Sequence, residues 1–498
     1  MSGVDLLLVN PGGRAGSYQA LASTLTAIEP PVWAGLMATY VRRLGYRVRV
    51  LDANAEGLSP GDVAEHVREW RPTLTAVVVY GHHPSASTQV MPAAGAICRA
   101  IRERVPSAVT LLVGGHVAAL PEQTLREEVC TFVATGEGLR TFVPLMDALR
   151  TPGARWDQVP GLMYRDGDGI GRGPAAPLVT DLDAEMPAVA WDLLPMERYR
   201  AHNWHAFGTT GSRSPYGALY TTLGCPYTCA FCCIQAPFYE GERAAGRTHS
   251  YRRWSPAGVL AQIDTLADVY GVRHVKLADE LFVLHQTHVS AICRGLAARR
   301  DPLNIWAYAR VDSIAPDLIP LLRDAGVRWL ALGIESADAH VRADVDKAYA
   351  QDQIAATLEQ LRTAGIHVLG NYMFGLPEDD EASMQQTLDL ALELNTPYAN
   401  FYCAMAYPGS ALYTRAQAEG WSLPASWSGY AQLGVDTHPL PTRHLSGDDV
   451  LRFRDAAFTT YFTSPRYLSM LDATFGAGAV ADVRAMTAVP LERARLRA

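Results

Sequence analysis

The stretch CPYTCAFCC, residues 225–233, holds four of the eight cysteines of this 498-residue chain. Cys225, Cys229 and Cys232 fall within eight positions, so we expect a loop folded around a compact soft-metal centre. An iron–sulfur cube usually has four cysteine ligands, and a loop with three leaves one iron open to another ligand. A zinc site, or cysteines with no common ligand, are the alternatives. Cys233 leaves a second ligand phase open, in which it replaces Cys232.

Composition limits the classes of function. The chain is 49% hydrophobic and 19% charged, which is typical of a globular protein with two or three cores. A net charge of −8 without a basic run argues against a nucleic-acid or membrane partner and favours a small-molecule substrate. Clustered cysteines suit a reducing compartment. There is no signal-peptide layout and no apolar run of membrane-spanning length, so we expect a cytoplasmic protein.

The first part of the chain alternates between two patterns. Short apolar runs at 5–10, 47–52, 75–80, 109–113 and 131–135 predict strands, and helical spacing at 31–44, 61–70, 87–104 and 121–128 predicts the helices between them. This order predicts a doubly wound, Rossmann-like parallel sheet over residues 1–150. Glycines and small polar residues collect after the strands, where such sheets bind ligands.

The rest of the chain divides into three regions. Residues 151–215 read as a linker with one hairpin around the turn at 165–169. Residues 216–406 contain six strand–helix units, which predict a partial (β/α)6 TIM-like barrel with ligands at the carboxyl ends of its strands. Residues 407–498 read as a mostly helical cap, with helices at 448–462 and 480–496. Its candidate pocket walls, equally compatible with the core, are Trp421, Trp427, Tyr430 and Tyr461.

The cysteine loop resembles the CxxxCxΦC motif of the radical S-adenosylmethionine (SAM) superfamily, where Φ is aromatic. Cys225, Cys229, Phe231 and Cys232 match it. The resemblance implies a [4Fe-4S] cluster whose open iron chelates the amino and carboxylate groups of SAM. The cluster then reduces SAM to a 5′-deoxyadenosyl radical.

Residues 1–150 resemble the cobalamin-binding domain that precedes the barrel in one large radical SAM subfamily. The Gly-Gly-His at 114–116 and the Gly-Glu-Gly at 136–138 carry this resemblance. There is no Asp-x-His-x-x-Gly segment, hence no sign of a histidine ligating cobalt, and we interpret His82, His83 and His116 as loop histidines. Bound cobalamin, and a module that only docks on the barrel, both stay open.

The resemblance also implies SAM contacts after successive barrel strands: Asp279 or Glu280 to the ammonium, Arg310 to the carboxylate, Glu335 and Ser336 with Gly333 to the ribose side, Gly370 to Gly375 along the adenine, and Phe231 stacked on the adenine. Arginine suits a carboxylate because its planar fork donates to both oxygens. The alternative for Asp279, Glu280 and Glu335 is a solvated barrel rim.

Three functions are compatible with the sequence. The first is dehydration of a vicinal diol on a sugar-like natural product, since the chain resembles radical SAM diol dehydratases of aminoglycoside antibiotic biosynthesis; Tyr216, Asp279 and Glu280 are its candidate acids and bases. The second is cobalamin-dependent methylation of an unactivated carbon or phosphorus centre. The third is a cluster-bearing binding or electron-transfer protein. Flavodoxin or ferredoxin is the expected reductant, and dehydration implies an NAD(P)H-dependent reductase that acts next.

Overall fold

The computed structural model describes residues 3–23, 25–209 and 212–497 and contains two large, mostly parallel sheets. The first has the strand order β2-β1-β3-β4-β5-β6-β7. Its strands are β1 Leu6–Asn10, β2 Val48–Asp52, β3 Leu74–Val79, β4 Thr110–Gly114, β5 Phe132–Ala134, β6 Leu162–Asp166 and β7 Gly169–Arg172. Strands β1 to β5 are parallel, and β1, β3 and β4 are almost wholly buried because helices cover both faces. The predicted doubly wound sheet is confirmed.

The predicted hairpin at 165–169 is also confirmed, but it does not bridge two domains. Strands β6 and β7 pair antiparallel, and β6 pairs antiparallel with β5. The hairpin therefore continues the first sheet past residue 150. It covers the edge of a three-residue strand whose backbone groups would otherwise lack partners.

The second sheet has six parallel strands in the order β15-β14-β13-β12-β11-β8. They are β8 Tyr216–Leu219, β11 His274–Leu277, β12 Asn304–Arg310, β13 Val327–Glu335, β14 His367–Phe374 and β15 Tyr398–Cys403. This is the predicted partial (β/α)6 barrel. A two-stranded ribbon, β9 Thr222–Leu223 with β10 Arg252–Arg253, brackets the cysteine loop.

The helices follow the predicted alternation. Those of the first 215 residues are Arg14–Tyr18, Val32–Arg43, Ala53–Glu56, Pro60–Trp70, Ala86–Arg104, Gly115–Ala119, Pro121–Glu127, Leu139–Arg150 and Leu182–Glu185. Those of the barrel and its continuation are Tyr239–Ala244, Pro256–Asp264, Gln286–Ala297, Leu318–Asp324, Ala339–Asp344, Gln351–Thr363, Glu381–Leu394 and Ala411–Ala418. Within the described ranges, no helix combines the length and apolarity needed to cross a membrane.

The carboxyl-terminal region is helical as predicted, with one error of placement. The helix Gly447–Thr463 agrees with the prediction, and Ser446 and Asp449 form its capping box. The predicted helix near 480–496 is partly correct. The helix Ala477–Thr487 covers its first half, and a further helix, Pro465–Phe475, precedes it. Pro465 starts this preceding helix, and Gly476, with a φ of 83°, separates the two.

The close approach of β4 to β3 gives a testable prediction. An added Cβ at Gly114 would lie 1.9 Å from the carbonyl oxygen of Val79. Gly114→Ala should therefore lower the free energy of unfolding by about 1–3 kcal/mol, the usual cost of overpacking, measured by urea denaturation. Gly478→Ala is the control, since nothing lies within 4 Å of its Cβ position and its helix favours alanine. Equal losses in both variants would contradict this explanation.

Candidate functional site

The cysteine loop leaves the ribbon at the carboxyl end of the first barrel strand. Gly224 has a φ of 91°, and a Cβ there would lie 2.0 Å from the carbonyl oxygen of Ser250, so the entry to the loop requires glycine. The middle of the loop is fixed by its backbone. Ala230 donates its amide to the carbonyl of Val345 at 3.0 Å and accepts the amide of Leu412 at 2.7 Å.

The four loop cysteines occupy two environments. Cys229 and Cys232 are partly exposed, whereas Cys225 and Cys233 are buried. Cys233 belongs to the large hydrophobic core and lines a small cavity toward the first sheet. Of the four, only Cys233 packs into a hydrophobic core cluster, which favours Cys232 as the third ligand.

The donor set of the loop fits an iron–sulfur cluster. Among the described residues, no group of three histidine, cysteine or acidic side chains converges on a single metal ion. A cube differs from such a site because each thiolate binds a different iron. Burial raises the pKa of the Cys225 thiol to about 12, so cluster binding must displace its proton.

Asp279 and Glu280 are adjacent in sequence but differ in their contacts. Asp279 is buried and accepts hydrogen bonds from the amides of Thr221 and Thr222 at 2.6 and 2.9 Å. Its carboxylate therefore fixes the backbone just after β8. The Glu280 carboxylate makes no hydrogen bond or ion pair with the described part of the chain and faces the cavity beside Cys233. Burial raises the pKa of Glu280 to about 8. Of the two predicted ammonium partners, Glu280 is the one with free oxygens.

Arg310 lies against the cysteine loop, as its predicted role requires, but its fork is already in use. Its Nε and Nη2 each donate to Asp312 at 2.9 Å. Its Nη1 lies 3.4 Å from the Cys229 sulfur, and its guanidinium stacks 4.1 Å from the Tyr227 ring. A carboxylate could therefore reach Nη1, but the two-pronged contact expected from the sequence goes to Asp312.

Lys347 is a site residue that the sequence analysis missed. Its ammonium forms a buried ion pair with Glu335, one of the predicted ribose-side residues, and lies 5.7 Å from the centre of the Phe231 ring. An added Cβ at Gly333 would meet both charged groups at about 2.5 Å. Gly333 therefore makes room for this pair, and Lys347 supplies a second cation beside the loop.

Three further predicted contacts serve the fold. Ser336 is fully buried, and its hydroxyl bonds Thr387 and the amide of Asp338. Added Cβ atoms at Gly370 and Gly375 would strike Tyr372 and Val450 at 2.7 and 2.5 Å. Packing is thus sufficient to explain all three positions.

Tyr216 lies within β8 and not ahead of it, at the strand end opposite the cysteine loop. It is fully buried, and its hydroxyl lies 3.5 Å from Glu29 of the amino-terminal region. Glu29 also accepts from Lys276 at 2.9 Å and lies 3.2 Å from His82. Any proton that Tyr216 exchanges must therefore pass through this buried network.

The rarity of lysine in the sequence is a signal that could have pointed to two buried cations, Lys347 and Lys276, that the motifs did not indicate. Only two of the 43 lysines and arginines are lysines, Lys276 and Lys347. Both are buried, both pair with a glutamate, and both lie over aromatic rings. A compact ammonium fits these positions where a wide guanidinium would not.

A cavity of about 200 Å³, called the main cavity below, lies between the barrel lumen, residues 17–29 and the carboxyl-terminal region. The predicted aromatic walls do not line it: Trp421, Trp427, Tyr430 and Tyr461 pack elsewhere. Tyr461, for example, is fully buried and donates to the carbonyl of Thr396 at 2.6 Å. The carboxyl-terminal region contributes Gln432, Arg454 and Phe458 instead.

Two smaller cavities, of about 140 and 30 Å³, follow the strand ends of the first sheet, and all three cavities share His83. The smallest is bounded by Gly115 on the first sheet and by Cys233 on the cysteine loop. The Tyr80 hydroxyl is buried beside it without a hydrogen-bond partner among the described residues. The cavity itself is far too small for cobalamin, but its small residues and unsatisfied donor lie where a cofactor held between the strand ends of the first sheet and the cysteine loop would lie.

The strand-end histidines have different contacts. His116 is buried, lies 3.1 Å from the Thr88 hydroxyl and meets Trp427 edge-on, and burial lowers its pKa to about 3. His82 bonds the Pro30 carbonyl at 2.6 Å. Each side chain therefore has one ring nitrogen engaged by the protein.

Two protein families match this chain. Residues 219–391 match the radical SAM superfamily, and residues 18–145 match the B12 binding domain. A radical SAM domain implies a [4Fe-4S] cluster and SAM, and a B12 binding domain implies cobalamin.

Relatives that match more than four fifths of this chain are named as methyltransferases and a cyclase. An uncharacterized methyltransferase of Pyrococcus horikoshii is 27% identical and covers 94% of both chains. The anaerobic magnesium-protoporphyrin IX monomethyl ester cyclase of Cereibacter sphaeroides is 26% identical over 82% of this chain and 63% of its own. Cytidylyl-2-hydroxyethylphosphonate methyltransferase of Streptomyces wedmorensis is 24% identical over 84% and 83%.

Two solved structures share the whole fold. The radical SAM methyltransferase TsrM of Kitasatospora setae, with cobalamin and a [4Fe-4S] cluster bound, aligns with a TM-score of 0.68, 17% identity, and 97% and 100% coverage of the two chains. The cobalamin-dependent radical enzyme OxsB, with aqua-cobalamin bound, gives 0.69, 15% identity, and 97% and 72% coverage.

The environments of the cysteines predict which of them hold the cluster. Replacing Cys225, Cys229 or Cys232 by alanine should abolish the visible absorption of the reconstituted cluster and all SAM cleavage. Cys233→Ala should retain both, because that side chain packs into the core. If Cys233→Ala loses the cluster and Cys232→Ala keeps it, the third ligand is Cys233 and not Cys232.

Arg310→Lys keeps the charge, but one ammonium cannot hold Asp312 and also reach the SAM carboxylate as Nη1 could, so SAM should bind more weakly with the cluster intact. We expect a loss of about 1.5–3 kcal/mol, that of one charge-assisted hydrogen bond, measured by equilibrium dialysis. Arg323→Lys is the matched control, because Arg323 also pairs with a nearby aspartate through Nε and Nη2 but lies on the surface. Unchanged binding in Arg310→Lys would leave Arg310 with a structural role only.

Proposed function

Since this chain is a radical SAM protein with an amino-terminal B12-binding domain, we propose that it is a cobalamin-dependent methyltransferase that acts on a small molecule. The observation that carries the proposal is the junction of the two regions. There Gly115 and Ser87, in the helices that follow β4 and β3, line the same small cavity as Cys233 and Glu280 beside the barrel. A cofactor on the first sheet would thus lie next to the cluster loop.

When bound, SAM and cobalamin supply the radical and the methyl group. The residues of the chain would hold these groups: the three cysteines would bind the cluster, Arg310 and Lys347 place cations beside the loop, and Glu280, with its raised pKa, can donate or accept a hydrogen bond. The Trp33 and Tyr80 rings, stacked 4.4 Å apart, wall the small cavity. Flavodoxin or ferredoxin is the proposed electron donor.

The methyltransferase proposal replaces diol dehydration as the preferred function. Two of the three relatives described above are named methyltransferases, and none is a dehydratase. The proposed dehydratase base, Tyr216, contacts Glu29 and does not line the main cavity. With dehydration set aside, the downstream reductase that it implied is no longer needed.

The products of SAM separate the two reactions. A methyltransferase of this kind should form S-adenosylhomocysteine only when hydroxocobalamin is present, whereas a dehydratase should form 5′-deoxyadenosine alone, with or without it. Anaerobic reconstitution with iron and sulfide, followed by incubation with SAM and reduced flavodoxin and by mass spectrometry, measures both products. The proposal would be overturned if 5′-deoxyadenosine were the only product and formed equally with and without hydroxocobalamin.

A bulky residue at Gly115 should block the cofactor cavity. We expect Gly115→Phe to lose at least tenfold in hydroxocobalamin affinity, measured by visible absorption after gel filtration, while the cluster absorption is retained. Gly478→Phe is the control, since nothing lies within 4 Å of a Cβ at that exposed position. Full cobalamin binding by Gly115→Phe would move the cofactor away from this cavity.

A further inference from the structure

The main cavity is rich in rings. Eight of its 28 lining residues are aromatic, nine of the others are apolar, and the remaining eleven are polar or charged. Trp306 and Tyr308 project from β12 and Phe401 from β15, so the barrel itself supplies flat apolar surface. Such a wall favours a ligand with planar or fused rings.

The charges around this cavity are balanced within the protein. Glu29 is the one carboxylate in its lining, and it is paired with Lys276 at 2.9 Å. Arg454 donates to Asp455 at 2.8 Å and to the carbonyl of Phe401 at 2.8 Å. Burial lowers the pKa of both lining histidines, His83 and His202, to about 4, which keeps them neutral. A ligand with several ammonium groups would find no free carboxylate here.

Three phenol hydroxyls in the lining have no hydrogen-bond partner among the described residues. Tyr18, Tyr308 and Tyr402 make no hydrogen bond with the described residues, although they line a cavity sheltered from bulk water. A phenol hydroxyl both donates and accepts, so it can satisfy a hydroxyl or carbonyl group of a ligand. These groups are free, whereas the charged side chains are paired.

We propose that this cavity binds the methyl acceptor, and that the acceptor is an uncharged, ring-containing molecule with hydroxyl or carbonyl groups. Only the role of methyl acceptor rests on the proposed function. The class of ligand follows from the lining of the cavity. It excludes the polycationic aminoglycosides that the sequence resemblance suggested.

Equilibrium dialysis of the full chain, loaded with cluster, SAM and hydroxocobalamin, tests the ligand class with three probes: 2-naphthol, naphthalene and kanamycin. We expect saturable binding of 2-naphthol, weaker binding of naphthalene, and no binding of kanamycin. Tyr308→Phe and Tyr402→Phe should each weaken 2-naphthol binding by about 2- to 10-fold, the effect of one neutral hydrogen bond, and leave naphthalene unchanged. Tyr239→Phe is the control, because Tyr239 is exposed and outside the cavity.

Two outcomes would overturn the inference: kanamycin binding tighter than 2-naphthol, or equal 2-naphthol affinities in all three variants and the parent chain. The proposed function is tested separately, by whether S-adenosylhomocysteine forms when cobalamin is present. If the chain binds the probes as expected but forms no S-adenosylhomocysteine, the ligand class stands and the methyltransferase proposal fails. If the chain forms S-adenosylhomocysteine but binds kanamycin more tightly than 2-naphthol, only the inference about the ligand class fails.

Discussion

A buried ion pair between Glu137 and Arg252 joins the two sheets at the edge where both would bind ligands. Glu137 follows β5 of the first sheet, and Arg252 lies in β10, the strand that brackets the cysteine loop. Their atoms approach to 2.6 Å, and the side chains are 4% and 8% exposed. Val179 bonds one further atom of each partner, donating its amide to Glu137 and accepting from Arg252 through its carbonyl. Such additional bonds offset part of the cost of burying a charge pair.

Much of the fold could be predicted because local pattern and tertiary role agree. The parallel strands are short apolar runs buried on both faces, and glycine or proline marks many of their ends. The errors come from features that local pattern does not encode. The hairpin at 165–169 joined the first sheet because β5 needed an edge partner. The break at Gly476 depends on a left-handed glycine inside an otherwise helical pattern.

The candidate site was less predictable than the fold, because motif position does not say which atoms are already bonded. Asp279 and Glu280 share one motif, yet only Glu280 keeps free oxygens, since the amides after β8 engage Asp279. Arg310 is in the expected place, but Asp312, two residues on, takes its fork. The lysines were identifiable from usage alone, because a chain that favours arginine keeps lysine only where a compact ammonium is needed.

The amino-terminal region contributes to the main cavity as well as to the cofactor cavity. Lys276 belongs to the barrel, is buried, and lies 4.6 Å from the centre of the Trp306 ring. Its counter-charge, Glu29, comes from the amino-terminal region. Without Glu29 the barrel would hold an unpaired buried ammonium, a costly state that lowers the pKa of lysine or admits water. The neutral, ring-lined pocket therefore exists only when the two regions are docked, which couples substrate binding to the same interface that would hold cobalamin.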